Sequence, residues 1–167
     1  MAKRLFVVMG FVVVATITAW GQSKPSIQGV WRVSERTTVG PNGTTNKNPQ
    51  PSLWIFTGKH YSIVQDNSAA ARQGLEGPPP EQPTDAQMIA AYREWAPVTA
   101  NSGTYEFTGG MLNLRATVAK NSSVTRTKTG LSYQVKTDGA SLVLTSVIGP
   151  TGQTTTNPVT MRLVRVE

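Results

Sequence analysis

The 167-residue chain reads as mainly β: a single eight-stranded antiparallel up-and-down barrel carrying one short helix as a lid. Three observations predict this. From Ile27 onward, short β-branched and aromatic segments alternate with polar residues at period two, the pattern of strands with one buried face. Tight-turn pairs (Gly58-Lys59, Gly109-Gly110 and Asp138-Gly139) separate consecutive segments, so neighbours in sequence pair as antiparallel hairpins. About 146 residues remain once the N-terminal segment is set aside, the usual size of one domain around one core. Strands of this kind must bury one face and hide their edges, and closing the sheet does both. A two-sheet sandwich satisfies the same periodicity and is the alternative architecture.

Residues 1–21 read as a signal peptide and 22–167 as the barrel domain. Lys3 and Arg4 precede an apolar run from Leu5 to Ile17, and Ala19-Trp20-Gly21 places small residues for cleavage before Gln22. The run is shorter than the roughly 20 residues of a membrane span, and no later segment is apolar for as long. The expectation is an exported protein, periplasmic or secreted, with no membrane span after cleavage. The chain has no Cys, which excludes a lipoprotein anchor, thiol catalysis and zinc–cysteine sites. A domain of this size can do without disulfides even in an oxidising compartment. Sixteen Lys and Arg stand against nine Asp and Glu, but the basic residues are scattered singly. That distribution describes a solvated surface and not a nucleic-acid footprint.

Ile27 to Thr38 is the first strand, with Gly29, Trp31 and Val33 on one face and Trp31 placed to plug one end of the barrel. Val39-Gly40-Pro41-Asn42-Gly43 is rich in turn residues, and the polar run to Pro51 is a loop. Ser52–Thr57 and His60–Asp66 form a hairpin about Gly58-Lys59. Asn67 to Pro83, with Pro78-Pro79-Pro80, is a long loop. A helix follows over Thr84–Trp95: Thr84 is its N-cap and Gln87 completes a capping box. Asp85 favours the positive helix end, and Pro97 stops the helix. Met88, Ile89, Tyr92 and Trp95 share a face, which predicts a lid packed on the barrel. Gly103–Thr108 turns through Gly109-Gly110 into Met111–Ala119, where Leu112, Leu114, Ala116 and Val118 alternate with polar residues. Leu131, Tyr133 and Val135 alternate likewise, and Asp138-Gly139 turns into Ser141–Ile148. A polar loop about Gly149-Pro150 leads to the last strand, Val159–Val166.

Read together, Gly29-Val30-Trp31-Arg32-Val33, Phe56-Thr57-Gly58-Lys59-His60-Tyr61, Gly103-Thr104-Tyr105-Glu106-Phe107, Asp138-Gly139-Ala140-Ser141-Leu142-Val143-Leu144 and Leu163-Val164-Arg165-Val166 resemble the bacterial lipocalin-like domain proteins. They span nearly the whole mature chain in the family's order. The resemblance implies an eight-stranded up-and-down barrel with a possible internal cavity, often without established activity. It also implies that Trp31 closes the barrel base beneath Arg165. Relatives carry a histidine after the Gly-Thr-Tyr-Glu strand, where this chain has Leu114-Arg115-Ala116, so a function resting on that histidine is not expected here.

Candidate chemistry is sparse. His60 is the only histidine and sits at a hairpin, where a polar residue needs no special cause; no metal site and no catalytic residue is assigned. No Gly-x-Ser-x-Gly elbow is present, and the nine acidic residues are dispersed. Trp54, Phe56, Tyr61, Tyr105, Phe107 and Tyr133 are candidates to line a pocket, with Arg115 or Arg162 as the anchor for an acid headgroup. The same aromatics are also candidates for plain core, because alternation gives the period of a strand but not its inner face. The expected function is binding of a small, largely apolar molecule in the barrel interior, without a cofactor. A cofactor-free isomerase or cyclase and an envelope interaction protein with a solid barrel are the alternatives. An open apolar cavity, convergent ionisable groups and a filled interior discriminate the three.

Overall fold

The computed structural model describes residues 26–72, 74, 81–138 and 140–167. The signal-peptide segment, Pro78–Pro80 and Gly139 lie outside the described residues. Nine strands and two helices follow in order: β1 (Gly29–Thr38), β2 (Thr45–Asn46), β3 (Ser52–Phe56), β4 (His60–Asp66), α1 (Asp85–Trp95), β5 (Val98–Thr108), β6 (Met111–Ala119), α2 (Ser122–Arg126), β7 (Leu131–Asp138), β8 (Ser141–Ile148) and β9 (Val159–Arg165). Each strand from β3 to β9 pairs antiparallel with the next, and β1 pairs with both β3 and β9. The β1–β9 ladder runs from Trp31↔Arg165 to Thr38↔Val159. It closes the sheet into an eight-stranded up-and-down barrel and removes the sandwich alternative. The two-residue β2 adds only to the far half of β1, at Arg36 and Thr37.

The interior is filled at the end where β1 begins. Trp31, Phe56, Tyr61, Leu112, Val135, Leu142 and Leu163 are all buried there, within one apolar cluster that continues through Trp54, Ile63, Leu114 and Leu144. Phe56 meets Tyr105 edge-on at 5.2 Å between ring centroids, and Trp54 meets Tyr133 at 5.9 Å in the same manner. Such offset aromatic contacts add about 0.5–1.5 kcal/mol each beyond area burial.

Trp31 closes this end. Its indole Nε1 donates to the Ile27 carbonyl at 2.9 Å, and the Arg165 guanidinium carbon lies 4.3 Å from the ring centroid. Arg165 Nη1 in turn donates to the Gln28 carbonyl at 2.9 Å. Gly29 makes this stacking possible: its φ is +135°, and a Cβ there would fall on Arg165 Nη1. The glycine two residues before the tryptophan is thus the space in which the arginine lies.

Three bulges bend the strands, and each changes which residues face inward. In β1 the register slips between Val33 and Glu35, leaving Ser34 unpaired. In β6, Gly103 opposes Ala116 while Ser102 opposes Val118, so Thr117 is the extra residue. In β8, Ser132 opposes Ile148 while Tyr133 opposes Ser146, and Val147 is extra. The second bulge corrects the expected face of β6. Leu112 and Leu114 are buried and Ala116 packs against the core as expected, but Val118 is 65% exposed and Ala119 takes the inner position. Gly103 permits that bulge, since a Cβ on it would fall on the Arg115 carbonyl oxygen and lie 2.8 Å from Thr117 N.

Two further expectations are corrected. β5 begins at Val98 and not at Gly103; its first half carries the buried polar Asn101 on the inner face, so apolar alternation gives no trace of it. The helix forms where expected, with Thr84 as N-cap and the Thr84–Gln87 capping box complete, yet none of its residues is buried. Met88, Ile89, Tyr92 and Trp95 are all exposed. Its contacts with the barrel are at its C-terminal end. Lys120 Nζ donates to the carbonyls of Trp95 and, at 3.1 and 2.9 Å, of Ala96 and Val98, a cation where the helix dipole is negative. Arg72 pairs with Asp66 at 2.7 Å, and its guanidinium carbon stands 5.3 Å from the Trp95 ring centroid.

Candidate functional site: a half-barrel cavity

The end of the barrel opposite Trp31 is not filled. A cavity of about 310 Å³ opens there, near the lower limit of the roughly 300–1,000 Å³ range of small-molecule pockets. Its apolar wall is made by Trp54, Ile63, Leu131, Val159 and Met161 from the barrel strands and by Val124 from α2. Its mouth is framed by Lys120 and Asn121 on the β6–β7 connection and by Gly149, Pro150 and Thr155 on the β8–β9 connection. The cap on this end is therefore α2 and the β8–β9 loop; no residue of α1 lines the cavity, which corrects the expected lid. α2 is held by Asn121, whose side chain accepts from Ser123 N at 3.0 Å.

One side of the cavity is polar and internally bonded. Trp54 Nε1 donates to Gln65 Oε1 at 3.1 Å, and Gln65 Nε2 donates to Asn67 Oδ1 at 2.7 Å. Arg36 Nη1 donates to the same Asn67 oxygen at 3.2 Å. Asn67 Nδ2 donates to the Pro97 carbonyl and to Thr99 Oγ1, at 2.9 and 3.0 Å. This chain of bonds fixes the Trp54 indole and the Arg36 guanidinium relative to each other. Three buried atoms of cavity-lining residues have no hydrogen-bond partner: Arg36 Nε, Asn101 Oδ1 and Thr155 Oγ1. Buried polar atoms are normally paired, so three around one cavity mark it as a place for polar ligand or solvent groups.

Tyr133 also lines the cavity. Burial pushes its phenol up to about 12, with the nearby Arg36 charge acting in the opposite sense; it is a neutral phenol across the physiological range.

Of the aromatic candidates, Trp54 and Tyr133 line the cavity. Phe56 and Tyr61 are buried in the filled half, and Tyr105 and Phe107 are partly buried against it. The Tyr105 hydroxyl donates to the Thr57 carbonyl at 2.6 Å. Neither proposed arginine anchor reaches the cavity. Arg115 follows the inward Leu114, so it is exposed, and its Nη1 donates to the Lys128 carbonyl at 2.8 Å. Arg162 stands between the inward Met161 and Leu163 and so points out, to Asp138 Oδ2 at 2.6 Å and Ser141 Oγ at 2.8 Å. The arginine of the cavity is Arg36. Sequence reasoning also missed Gln65, Asn67 and Asn101. Gln65 was findable, because it continues the Tyr61–Ile63 face of β4. His60 is exposed and away from the cavity.

Fold and site define a class: a closed antiparallel up-and-down β-barrel, packed solid at one end and hollow at the other. Comparison of the sequence with models of known protein families and with curated proteins finds no match.

Proposed function

We propose that this chain is an exported lipocalin-like binding protein that holds a small, largely apolar molecule in the open half of its barrel. One observation carries the reading: the 310 Å³ cavity, walled by Trp54, Ile63, Leu131 and Met161 and by one polar side. A barrel whose purpose was only to present a surface has no need to leave half its interior unpacked, because unfilled apolar volume costs roughly 24 cal/mol per Å³. Among the described residues, the ionisable side chains that line the cavity are Arg36, Lys120 and Tyr133; they do not include an acid–base pair, which favours binding over proton transfer. Export is supported by the Lys3-Arg4 and Leu5–Ile17 pattern.

Native mass spectrometry of the protein purified from its own host tests the reading. The expected result is a mature chain beginning at Gln22 with a bound species of a few hundred daltons or less that is released on unfolding. A chain that carries no small molecule and takes up none from a panel of apolar compounds would refute the binder.

A further inference from the structure

We propose that the molecule held in this cavity is a small apolar monocarboxylate, bound through the Nε edge of the Arg36 guanidinium; the inference rests on the binding reading above. The bulge at Ser34 is what brings a cation to this position. Trp31 and Val33 face inward, and straight alternation would put Glu35 inside next. The slip at Ser34 instead pairs Arg36 with the inward Met161 and Glu35 with the outward Arg162. One inserted residue thus exchanges a negative side chain for a positive one on the cavity wall.

That cation is uncompensated. Among the described residues the ion pairs are Arg72–Asp66 and Arg162–Asp138, and no carboxylate lines the cavity. Tyr133 stays neutral and does not balance the charge. Arg36 Nη1 is taken by Asn67, but Nε is buried without a partner. A buried donor left unpaired is costly, the more so when charged. A guanidinium is a planar fork that accepts a carboxylate side-on. The other cation at the mouth, Lys120, is committed to three backbone carbonyls. Thr155 Oγ1, also buried and unpartnered on the cavity wall, is a hydroxyl able to donate to an anion. Asn101 Oδ1 is an acceptor and does not help to hold one.

Size and polarity define the rest of the ligand. At about 310 Å³ the cavity lies near the lower limit of small-molecule pockets, so the body is small. Trp54, Ile63, Leu131 and Met161 ask that it be apolar. An eight-carbon fatty acid has this size and chemistry and serves as the probe.

Calorimetric titration of the purified mature chain with sodium octanoate and with octan-1-ol separates headgroup from body. Octanoate is expected to bind at least about tenfold more tightly than the alcohol. Arg36→Met should remove that preference, bringing the octanoate-to-octanol affinity ratio close to one. A readout on the unaltered chain guards against a variant that fails to fold: the carbon-13 carboxyl resonance of bound octanoate, titrated with acid. Beside Arg36 its pKa should fall below that of free octanoate, whereas an apolar cavity without a usable cation would raise it. Equal affinity for acid and alcohol, or a raised bound pKa, overturns the carboxylate assignment and leaves the apolar-ligand reading standing. Binding of neither compound overturns both.

Discussion

Arg165 lies face-on over Trp31, its guanidinium carbon 4.3 Å from the ring centroid, and it can do so only because residue 29 has no side chain. The three residues act as one closure. The indole is 3% exposed and fills the barrel end. The arginine covers it and ties the last strand to the Gln28 carbonyl. A cation held over Trp contributes about 0.5–2 kcal/mol depending on desolvation, whereas truncating a buried Trp costs about 3–5 kcal/mol. Trp31→Ala is expected to threaten folding outright, and Arg165→Lys to cost about 1 kcal/mol, since an ammonium cannot both stack and donate. Gly29→Ala should approach the arginine loss or exceed it, because it adds strain at positive φ to the displacement of Arg165. Urea unfolding of the three variants checks the order; an Arg165→Lys loss larger than that of Trp31→Ala would contradict it.

A second prediction concerns the β5–β6 bulge. Because a Cβ on Gly103 would fall on the Arg115 carbonyl oxygen, Gly103→Ala must push β5 and β6 apart or flatten the bulge. The expected loss is about 2 kcal/mol or more, above the roughly 1 kcal/mol typical of point substitutions. Flattening would also turn Ala119 outward and Val118 inward, which alters the cavity wall. If Gly103→Ala unfolds at the wild-type urea concentration, the close approach does not exist in solution.

The buried tyrosines set an alkaline limit on stability. Burial raises Tyr133 to about 12 and also raises Tyr61 and Tyr105, whereas in the unfolded chain tyrosine ionises near 10. Above about pH 10 the unfolded state therefore releases protons that the folded state keeps, and stability falls as pH rises. Below about pH 9 all three are protonated in both states and contribute no slope. Tyrosinate absorbance should consequently lag in the folded protein and appear together with loss of near-ultraviolet circular dichroism. Ionisation of Tyr61 and Tyr133 near pH 10 with the fold intact would show that their hydroxyls are not shielded from water.

Since α1 buries none of its residues, its apolar face contributes little to the stability of the isolated chain. Ile89→Asp is expected to shift unfolding by less than about 0.5 kcal/mol, as for other exposed positions. Lys120→Met should act differently. It removes the cation that holds the carbonyls of Trp95 and its C-cap Ala96, so amide hydrogens of Arg93 to Ala96 should exchange faster while those of the barrel strands beyond the start of β5 are unchanged. Faster exchange across the strands would place Lys120 in the barrel's own stability instead.

The sequence by itself determined most of the strands, their hairpins and the capped helix, because each depends on neighbours a few residues away; β2, α2 and the first half of β5 left no such pattern. Apolar residues at period two, Gly58-Lys59 and Gly109-Gly110 turns, and Thr84 three residues before Gln87 are local patterns with local causes. Which side chains meet inside was decided only by the tertiary structure. Alternation says that Glu35 and Arg36 face opposite ways, but the Ser34 bulge decides which of them is inward, and that bulge exists only against β9. The same holds for Val118 and Ala119, whose exchange depends on Gly103 in the facing strand. Arg115 and Arg162 stand on strands as regular as that of Arg36, yet regular pairing sends them to solvent. The helix face of Met88, Ile89, Tyr92 and Trp95 was legible as a pattern, but a pattern carries no information about whether a partner surface lies within reach. A one-residue slip in pairing reverses every side chain beyond it, so the lining of this cavity is a property of paired strands, and no single strand encodes it.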